Sequence, residues 1–583
     1  MPLLVAAYAA VAWYVDRYLL GVDWRAYWSL QRLAMNGLPG VLCILLLAVL
    51  TRRVLVPTAV VTALHVALLV VSRLKLAILH EPLAFHDMHF LTSFDLSSLQ
   101  LFSSYVNHWG RDLAMLAVMV LLLGVMWWAE RPRSKTVVGP VLAVRLAVGL
   151  AVLWLLLDLH AGSSPWSKIY SKQNVRPVAW DAKMALLRSG LVSSLMQQVM
   201  ADRAFTLAVD SDALDYVKRA TGWQGDMGKA AAAGRDDLPN IVVVLSESFM
   251  DPRVMKGMAG LEEKIPTVRR LQDAGSGGLM RVPTYGGGTV KTEFEVLTGM
   301  PLAAFPGINF PYFTLAARQR IPALPSILEA DGYRSVAIHG NSPAFWGRNV
   351  IFRSMGFQDF QAEAAFDKRG IKDGRWYSDA SMTDLVLDEL RGSKSPMFVL
   401  AISMENHGPY TGKSAVRDPG RRDSITLPEG VVSEGARLEL RNYLYHLGNA
   451  DSQLARLISE LGKEPRPYVV LFFGDHLPAL GAAYDEAGFV NGQSAGQQLV
   501  PWVIARDPRL PQHELSGVAE SWQLPVALFD AAGLDGGDYL RLSREAMRLY
   551  RGEDDRQVAR KLLDGLHAAA NQHLDRGLEH GAR

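Results

Sequence analysis

A chain of 583 residues is longer than one hydrophobic core normally supports, so more than one folding unit is expected. Half of its residues are hydrophobic, which is high for a soluble enzyme, and a formal net charge of +2 argues against nucleic acid as a partner. The single cysteine, Cys43, excludes a disulfide within the chain and argues against a cysteine-ligated zinc site.

Five apolar segments before residue 160 have the length of membrane spans, which need roughly 20 residues. The first is the weakest candidate, because Asp16 and Arg17 interrupt it near one end. The segments predicted to cross the membrane are 1–22, 33–50, 54–72, 112–129 and 139–159.

Basic residues in the short loops predict the orientation of these spans. Arg52 and Arg53 join the second segment to the third, and three basic residues join the fourth to the fifth: Arg131, Arg133 and Lys135. Both loops belong inside by the positive-inside rule. Five spans then place everything after residue 160 outside the cytoplasmic membrane.

The loop between the third and fourth segments, residues 73–111, contains scattered polar residues among Leu and Phe: His80, Glu81, His86, Asp87 and His89. Their spacing matches no compact ligand motif, so a stretch lying on the membrane surface is preferred over a metal cluster. Residues 161–238 read as an extracytoplasmic junction with a helical pattern near 178–206.

A different composition begins at Pro239, where short β-branched runs alternate with longer amphipathic segments. This alternation is typical of an α/β domain with a largely parallel sheet. We therefore predict a transmembrane domain at 1–160, the junction, a catalytic α/β domain at 239–540 and a helical tail at 541–583. The predicted strands are 240–246, 334–338, 397–403, 468–473 and 499–505.

Polar side chains follow four of these strands at once or within a few residues. Ligands of parallel sheets bind outside the carboxyl ends of the strands, so four such residues favour a shared site over coincidence. The residues are Glu247, His339, His407 and the pair Asp475-His476.

A glycine-rich segment, Tyr285-Gly-Gly-Gly-Thr289, precedes a predicted helix over 289–297. Glycines allow a close backbone approach, and free N–H groups at a helix N-terminus favour an anion beside Thr289. The alternative is that Thr289 only caps the helix.

These segments together resemble the lipoteichoic acid synthase and periplasmic-glucan phosphoglycerol transferase family, within the alkaline phosphatase and sulfatase superfamily. The resemblance covers the layout of five spans followed by an outer domain. It is carried by five motifs in the family's order: Asn240–Ser248, Gly288-Thr289 with Glu293, His339-Gly340-Asn341 with Trp346 and Arg348, Glu405–Tyr410, and Gly474-Asp475-His476.

The resemblance implies a divalent metal ion held by Glu247, Thr289, Asp475 and His476, with Thr289 as the nucleophile. It implies headgroup contacts from His339, Trp346, Arg348 and His407, where Arg348 would grip phosphate oxygens. Mn²⁺ is the expected ion, with Mg²⁺ and Zn²⁺ open.

The same resemblance implies phosphatidylglycerol as the donor, membrane lipid as a partner, and a glycan or glycerolphosphate polymer as the acceptor. It places the chain in a bacterial cytoplasmic membrane. The Arg- and Ala-rich composition with few lysines tilts the source to a Gram-negative bacterium, the outer domain to the periplasm and the acceptor to a glycan.

Other activities fit less well. Sulfatases need an oxidised Cys or Ser in a C/S-x-P-x-R context, where this chain has Thr289-Val-Lys-Thr. Phosphoethanolamine transferases usually have a disulfide-rich outer domain, and two-metal phosphatases need a second Asp/His set, for which we find no convincing candidate. A metal-dependent hydrolase of the same superfamily remains the alternative, ahead of a transporter or receptor.

Overall fold

The computed structural model describes residues 2–20, 29–79, 82–88, 109–130, 139–175, 182–203, 207, 209–223, 238–305, 308, 311–315, 320–368, 370–412, 415–511, 515 and 518–580. The chain divides into two compact units, Met1–Phe205 and Thr206–Arg583. The predicted boundaries at 160, 238 and 540 stay predictions.

The first unit is helical, and a helix lies over each of the five predicted apolar segments. Among the described residues, three stretches are long and apolar enough to cross a membrane, namely Leu30–Thr51, Leu55–Leu76 and Pro140–Ala161. The helices are α1 (Pro2–Leu20), α2 (Leu30–Thr51), α3 (Leu55–Leu79), α4 (Trp109–Ala129), α5 (Pro140–Ala161), α6 (Ser164–Ile169), α7 (Lys172–Val175), α8 (Ala182–Ser189) and α9 (Leu191–Arg203). A helical N-terminal region with candidate membrane spans is thus confirmed, whereas the number five stays a prediction.

One carboxylate joins α3 to α4. The Glu130 side chain accepts hydrogen bonds from the N–H groups of Val54, Leu55 and Val56 at 2.6, 2.8 and 2.9 Å. These N–H groups at the start of α3 have no partner within their own helix, and an acidic group there also interacts favourably with the helix dipole. The loop with Arg52 and Arg53 is therefore held beside the C-terminal end of α4.

The loop 73–111 is described only in part. Asp87 forms an ion pair with Lys75 at 2.7 Å and accepts a hydrogen bond from the Ala84 N–H at 2.6 Å. Asp87 is thus engaged within its own region, while His80, Glu81 and His89 lie outside the described residues, as do Arg131, Arg133 and Lys135 of the second basic loop.

The second unit is built on a seven-stranded sheet and a separate two-stranded hairpin. The strands of the sheet are β1 (Asn240–Ser246), β2 (Gly277–Met280), β3 (Arg334–His339), β4 (Asp359–Gln361), β7 (Met397–Ile402), β8 (Tyr468–Gly474) and β9 (Val500–Arg506), and those of the hairpin are β5 (Lys372–Asp373) and β6 (Trp376–Tyr377). The order of strands in the sheet is β2-β9-β8-β1-β7-β3-β4. All five predicted strands are present, and the largely parallel sheet is confirmed. Only β9 runs opposite to the other strands of this sheet, and it pairs antiparallel with both β8 and β2.

Helices cover this sheet, and so its central strands are buried on both faces. Every residue of β1 and β8 is buried, as their continuous apolar sequences require. The helices are α10 (Ser211–Ala220), α11 (Pro266–Asp273), α12 (Val290–Thr298), α13 (Pro311–Leu315), α14 (Leu324–Ala330), α15 (Arg348–Met355), α16 (Glu363–Phe366), α17 (Asp379–Gly392), α18 (Pro419–Asp423), α19 (Glu434–Leu461), α20 (Gly481–Ala487), α21 (Leu524–Ala532), α22 (Gly537–Arg551) and α23 (Arg556–His580).

The C-terminal helix α23 packs closely against α10. A Cβ atom at Gly565 would lie 2.5 Å from Val217 Cβ, so a side chain at this position would force the two helices apart. The helical tail is thus part of the same compact unit as the last helix of the junction.

Candidate metal and phosphoryl-transfer site

Two neighbouring parallel strands bring the predicted metal ligands together. Strand β1 pairs with β8 so that Ser246 lies opposite Gly474, and therefore Glu247 and Asp475 leave the sheet side by side. A Cβ atom at Gly474 would lie 2.2 Å from the Phe249 carbonyl oxygen, so only glycine allows this approach.

Glu247, Asp475 and His476 form a compact buried cluster, with ligand atoms all within 4.8 Å of one another. The Nδ1 atom of His476 lies 3.0 Å from the Leu477 carbonyl oxygen. Because a carbonyl only accepts, Nδ1 carries the hydrogen, and Nε2 of a neutral ring would present a lone pair. That atom faces Asp475 Oδ2 at 3.2 Å and Glu247 Oε1 at 3.6 Å, so three electron-pair donors converge, as in a metal site.

The electrostatics of the cluster also fit a cation. Burial and the neighbouring Glu247 raise the pKa of Asp475 to about 7. Asp475 Oδ2 is buried and accepts no hydrogen bond from the described residues. A divalent ion would offset the cost of burying this negative charge and would give Asp475 Oδ2 a partner. Two carboxylates with one imidazole suit Mn²⁺ or Zn²⁺ and are also compatible with Mg²⁺.

Two further side chains orient these ligands, and the sequence analysis identified neither. Ser248 has the left-handed φ of 53°, which turns its N–H to Asp475 Oδ1 at 2.8 Å and its hydroxyl to Glu247 Oε1 at 2.9 Å. Thr292 donates to the Asp475 carbonyl oxygen at 2.8 Å. A non-glycine residue with this φ is strained, and such strain is typical of functional sites.

The Thr289 hydroxyl lies against this cluster. Its Oγ1 donates to Glu247 Oε2 at 3.4 Å, and the residue is buried at the start of α12. Gly288, with φ of 76°, makes the turn into the helix. The Thr289 side chain makes no capping hydrogen bond, so its hydroxyl faces the candidate metal site and does not cap the helix.

Arg348 and Glu293 form an ion pair inside the protein. The guanidinium Nη2 lies 2.7 Å from Glu293 Oε2, and Nε lies 3.2 Å from both carboxylate oxygens. Tyr312 donates to Glu293 Oε1 at 2.6 Å, a contact for which the sequence gives no signal. Attraction to Glu293 raises the pKa of Arg348 despite the opposing effect of burial.

His339 holds the other side of the same guanidinium. Its Nδ1 lies 3.1 Å from the Ile402 carbonyl oxygen, so Nδ1 carries the hydrogen and Nε2 accepts from Arg348 Nη1 at 3.1 Å. Burial and the Arg348 charge hold the pKa of His339 well below its usual value. In this conformation both ring nitrogens of His339 and the Nε–Nη2 edge of Arg348 contact protein atoms, so these residues orient one another.

The other two residues predicted to contact the headgroup, Trp346 and His407, are more exposed than His339 and Arg348. Trp346 is half-buried with φ of 60°, outside the core in which a structural tryptophan would lie. His407 is also half-buried; its Nδ1 donates to the Gly408 carbonyl oxygen at 2.7 Å, so Nε2 is the ring nitrogen that this bond does not use. His407 follows β7, whose Ile402 pairs with His339 at the end of β3, so the two histidines come from neighbouring strand ends. Headgroup contact by the four predicted residues stays a prediction.

Comparison with known proteins supports the family resemblance that the sequence motifs indicate. The chain is 28% identical over 467 residues to a cyclic β-1,2-glucan modification protein of Rhizobium meliloti, covering 77% of this chain and 68% of that protein. It is 25% identical over 258 residues to a lipoteichoic acid synthase of Staphylococcus saprophyticus, covering 41% and 35%.

Solved structures share the fold. The phosphoglycerol transferase GacH of Streptococcus pyogenes, in complex with sn-glycerol-1-phosphate, superposes with a TM-score of 0.51 at 19% identity, over 63% of this chain and 93% of that one. The integral membrane phosphoethanolamine transferase EptA of Neisseria meningitidis gives 0.52 at 11% identity, over 92% and 98%. The family model described as Sulfatase matches residues 239–534, just over half of the chain. The chain belongs to the sulfatase family, as the metal cluster beside Thr289 had suggested, and lipoteichoic acid synthases are among its relatives.

Proposed function

We propose that the protein is a membrane-anchored phosphoglycerol transferase. It would move glycerol phosphate from phosphatidylglycerol to an extracytoplasmic glycan or glycerolphosphate acceptor. The observation that carries the proposal is the Thr289 hydroxyl, buried against two carboxylates and an imidazole that suit a divalent metal. The names of relatives in glucan modification and lipoteichoic acid synthesis support this choice of substrates.

In the first half-reaction, Thr289 Oγ1 bonds to phosphorus and the bond from phosphorus to the diacylglycerol oxygen breaks. The hydroxyl proton passes to Glu247 Oε2, which is its acceptor in the structure at 3.4 Å. When bound, a divalent ion would lower the effective pKa of the hydroxyl and offset charge on the phosphoryl oxygens. The protonated His407 ring would give the Nε2 proton to the leaving oxygen.

The second half-reaction reverses these transfers on an acceptor. The acceptor hydroxyl gives its proton to His407 Nε2 and its oxygen bonds to phosphorus. The bond from phosphorus to Thr289 breaks, and Thr289 recovers its proton from Glu247. The hydrogen bond from His407 Nδ1 to Gly408 suits this role, because it directs Nε2 as the atom that exchanges protons.

The Arg348 guanidinium would contact the substrate only from its Nη1 side, because Glu293 occupies the Nε–Nη2 edge. Glu293 neutralises much of the guanidinium charge, and the outer Nη1 side is shared with His339. We expect the half-buried Trp346 to pack on the glycerol part of the headgroup.

A covalent adduct is the sharpest test of the proposal. The full-length protein is mixed with phosphatidylglycerol without acceptor, and the intact mass is measured. We expect an increment of one phosphoglycerol on the peptide containing Thr289, with diacylglycerol released. Thr289→Ala should lose the adduct and turnover, while Thr298→Ala, a buried threonine at the other end of α12, should retain both.

Two outcomes would contradict this mechanism. Normal diacylglycerol release by Thr289→Ala would mean direct attack by water or acceptor. An adduct that forms but passes only to water, with every glycan and glycerolphosphate acceptor supplied, would favour a hydrolase of the same family.

A further inference from the structure

A second buried cluster lies outside the site described above. Its members are Asp373 on the β5–β6 hairpin, Glu405 two residues before His407, and His446 on α19, with ligand atoms within 4.8 Å of one another. The side chains of Glu405 and His446 are 2% and 4% exposed, so any charge that they carry must be satisfied within the protein.

The hydrogen bonds of this cluster indicate an ion pair and not a metal site. His446 Nε2 lies 2.9 Å from the Ala415 carbonyl oxygen, so it carries a hydrogen, and Nδ1 lies 3.0 Å from Glu405 Oε1. Glu405 raises the pKa of His446 against the opposing effect of burial. Both nitrogens therefore act as donors, and an imidazolium–carboxylate pair leaves no ring lone pair for a metal.

This pair fixes the loop that carries His407. Glu405 Oε2 accepts from the Asp379 N–H at 2.7 Å, which ties the start of the loop to α17. One turn before His446 on α19, Asn442 donates to the carbonyl oxygens of Tyr410 and Gly412 at 2.7 and 3.0 Å. One face of α19 thus grips the loop on both sides of His407.

The hairpin holds the same loop from another direction. Trp376 Nε1 donates to the His407 carbonyl oxygen at 2.9 Å, and the two rings lie edge to face at 5.2 Å between centroids. Asp373 on the same hairpin accepts from the Tyr445 hydroxyl of α19 at 2.8 Å. The hairpin and α19 therefore meet at the His407 loop.

We propose that Glu405 and His446 are positioning residues, which hold His407 Nε2 where it exchanges the proton of the leaving or attacking oxygen. The inference rests on the proposed function. Removing the pair should weaken proton transfer at that oxygen and leave metal binding and attack by Thr289 intact.

Two donors with different leaving groups test this inference in the full-length protein. Diacylglycerol is a poor leaving group that needs a proton, whereas nitrophenolate leaves without one. With phosphatidylglycerol, we expect Glu405→Gln and His446→Gln to lower kcat by about 10- to 100-fold, as partial loss of general acid–base catalysis requires. With the p-nitrophenyl ester of glycerol phosphate, the rate of nitrophenolate release in the first, single turnover should stay within about threefold of wild type, because this step precedes attack by the acceptor and its leaving oxygen needs no proton.

Two comparisons sharpen the result. His407→Gln should show the same dependence on the leaving group, and the double variant His407→Gln/His446→Gln should be no slower than His407→Gln alone, because both act through one group. Glu460→Gln is the matched control, since it removes a carboxylate from an exposed ion pair on the same helix and should change neither rate.

If the substitutions at buried Glu405 and His446 prevent folding, a milder variant still tests the inference. Trp376→Phe removes one hydrogen bond to the His407 loop, and we expect kcat with phosphatidylglycerol to fall selectively by about 3- to 10-fold.

Equal losses of rate with both donors, or additive losses in the double variant, would overturn the inference. Loss of one metal equivalent in His446→Gln, measured by elemental analysis, would overturn it in favour of a second metal site. Nitrophenolate release by Thr289→Ala would instead refute the proposed function.

Discussion

The buried ion pair between Glu293 and Arg348 offers the most demanding test of the site's structure. The two side chains are 0% and 2% exposed, so changing one partner leaves the other charge uncompensated inside the protein. Breaking such a pair typically costs about 3–5 kcal/mol. We therefore expect Glu293→Leu and Arg348→Met each to destabilise the second unit by about 4 kcal/mol.

The expected change in melting temperature follows from the size of this unit. Unfolding releases roughly 2 cal/mol/K per residue, so over residues 206–583 a loss of about 4 kcal/mol lowers Tm by about 5 °C. The double variant removes both charges and should cost only about 2 kcal/mol, for the hydroxyl of Tyr312 and the lone pair of His339 that lose their partner.

Thermal unfolding of the full-length protein in detergent, followed by tryptophan fluorescence, measures these shifts. The exposed pair Arg391–Glu460 is the control, and its loss should lower Tm by less than about 1 °C. If the two single shifts simply add in the double variant, or if each is as small as the control, the pair does not stabilise the unit as described.

Three other predictions concern charge, metal and topology. Burial raises the pKa of Glu295 to about 7, so the folded protein holds a proton that the unfolded chain releases above about pH 4.5, and stability falls as pH rises through this interval. Glu295→Gln should therefore raise the free energy of unfolding at pH 8 by up to about 3 kcal/mol, seen as a higher Tm, and leave both unchanged at pH 4; an equal effect at both pH values would refute this. EDTA should abolish the proposed transferase activity and Mn²⁺ or Mg²⁺ restore it, and full metal occupancy in any of three alanine variants would contradict the proposed ligands, which are Glu247, Asp475 and His476. A reporter fused after residue 165 should be active only outside the cytoplasmic membrane and one in 130–136 only inside, and the opposite pattern would remove the basis for an outer active site.

Much of the α/β domain was predictable because its signals are local. Strands β1 and β8 are continuous apolar runs, and such runs identify strands buried on both faces whatever they pair with. The rule that ligands bind at the carboxyl ends of parallel strands then predicts that Glu247 and Asp475-His476 lie close together, as they do. The short edge strands β2 and β4 were missed, since four and three residues carry too weak a pattern.

The sequence by itself determined the strand runs, their polar ends, Thr289 at the start of a helix, and an apolar helical region before residue 160. Each of these follows from neighbours along the chain. The tertiary structure alone decided that Glu293 meets Arg348 across 55 positions, that His339 is a neutral acceptor, and that His446 holds the loop of His407. A side chain's partner and proton depend on which buried groups the fold brings within hydrogen-bond distance, and a linear pattern does not encode that distance.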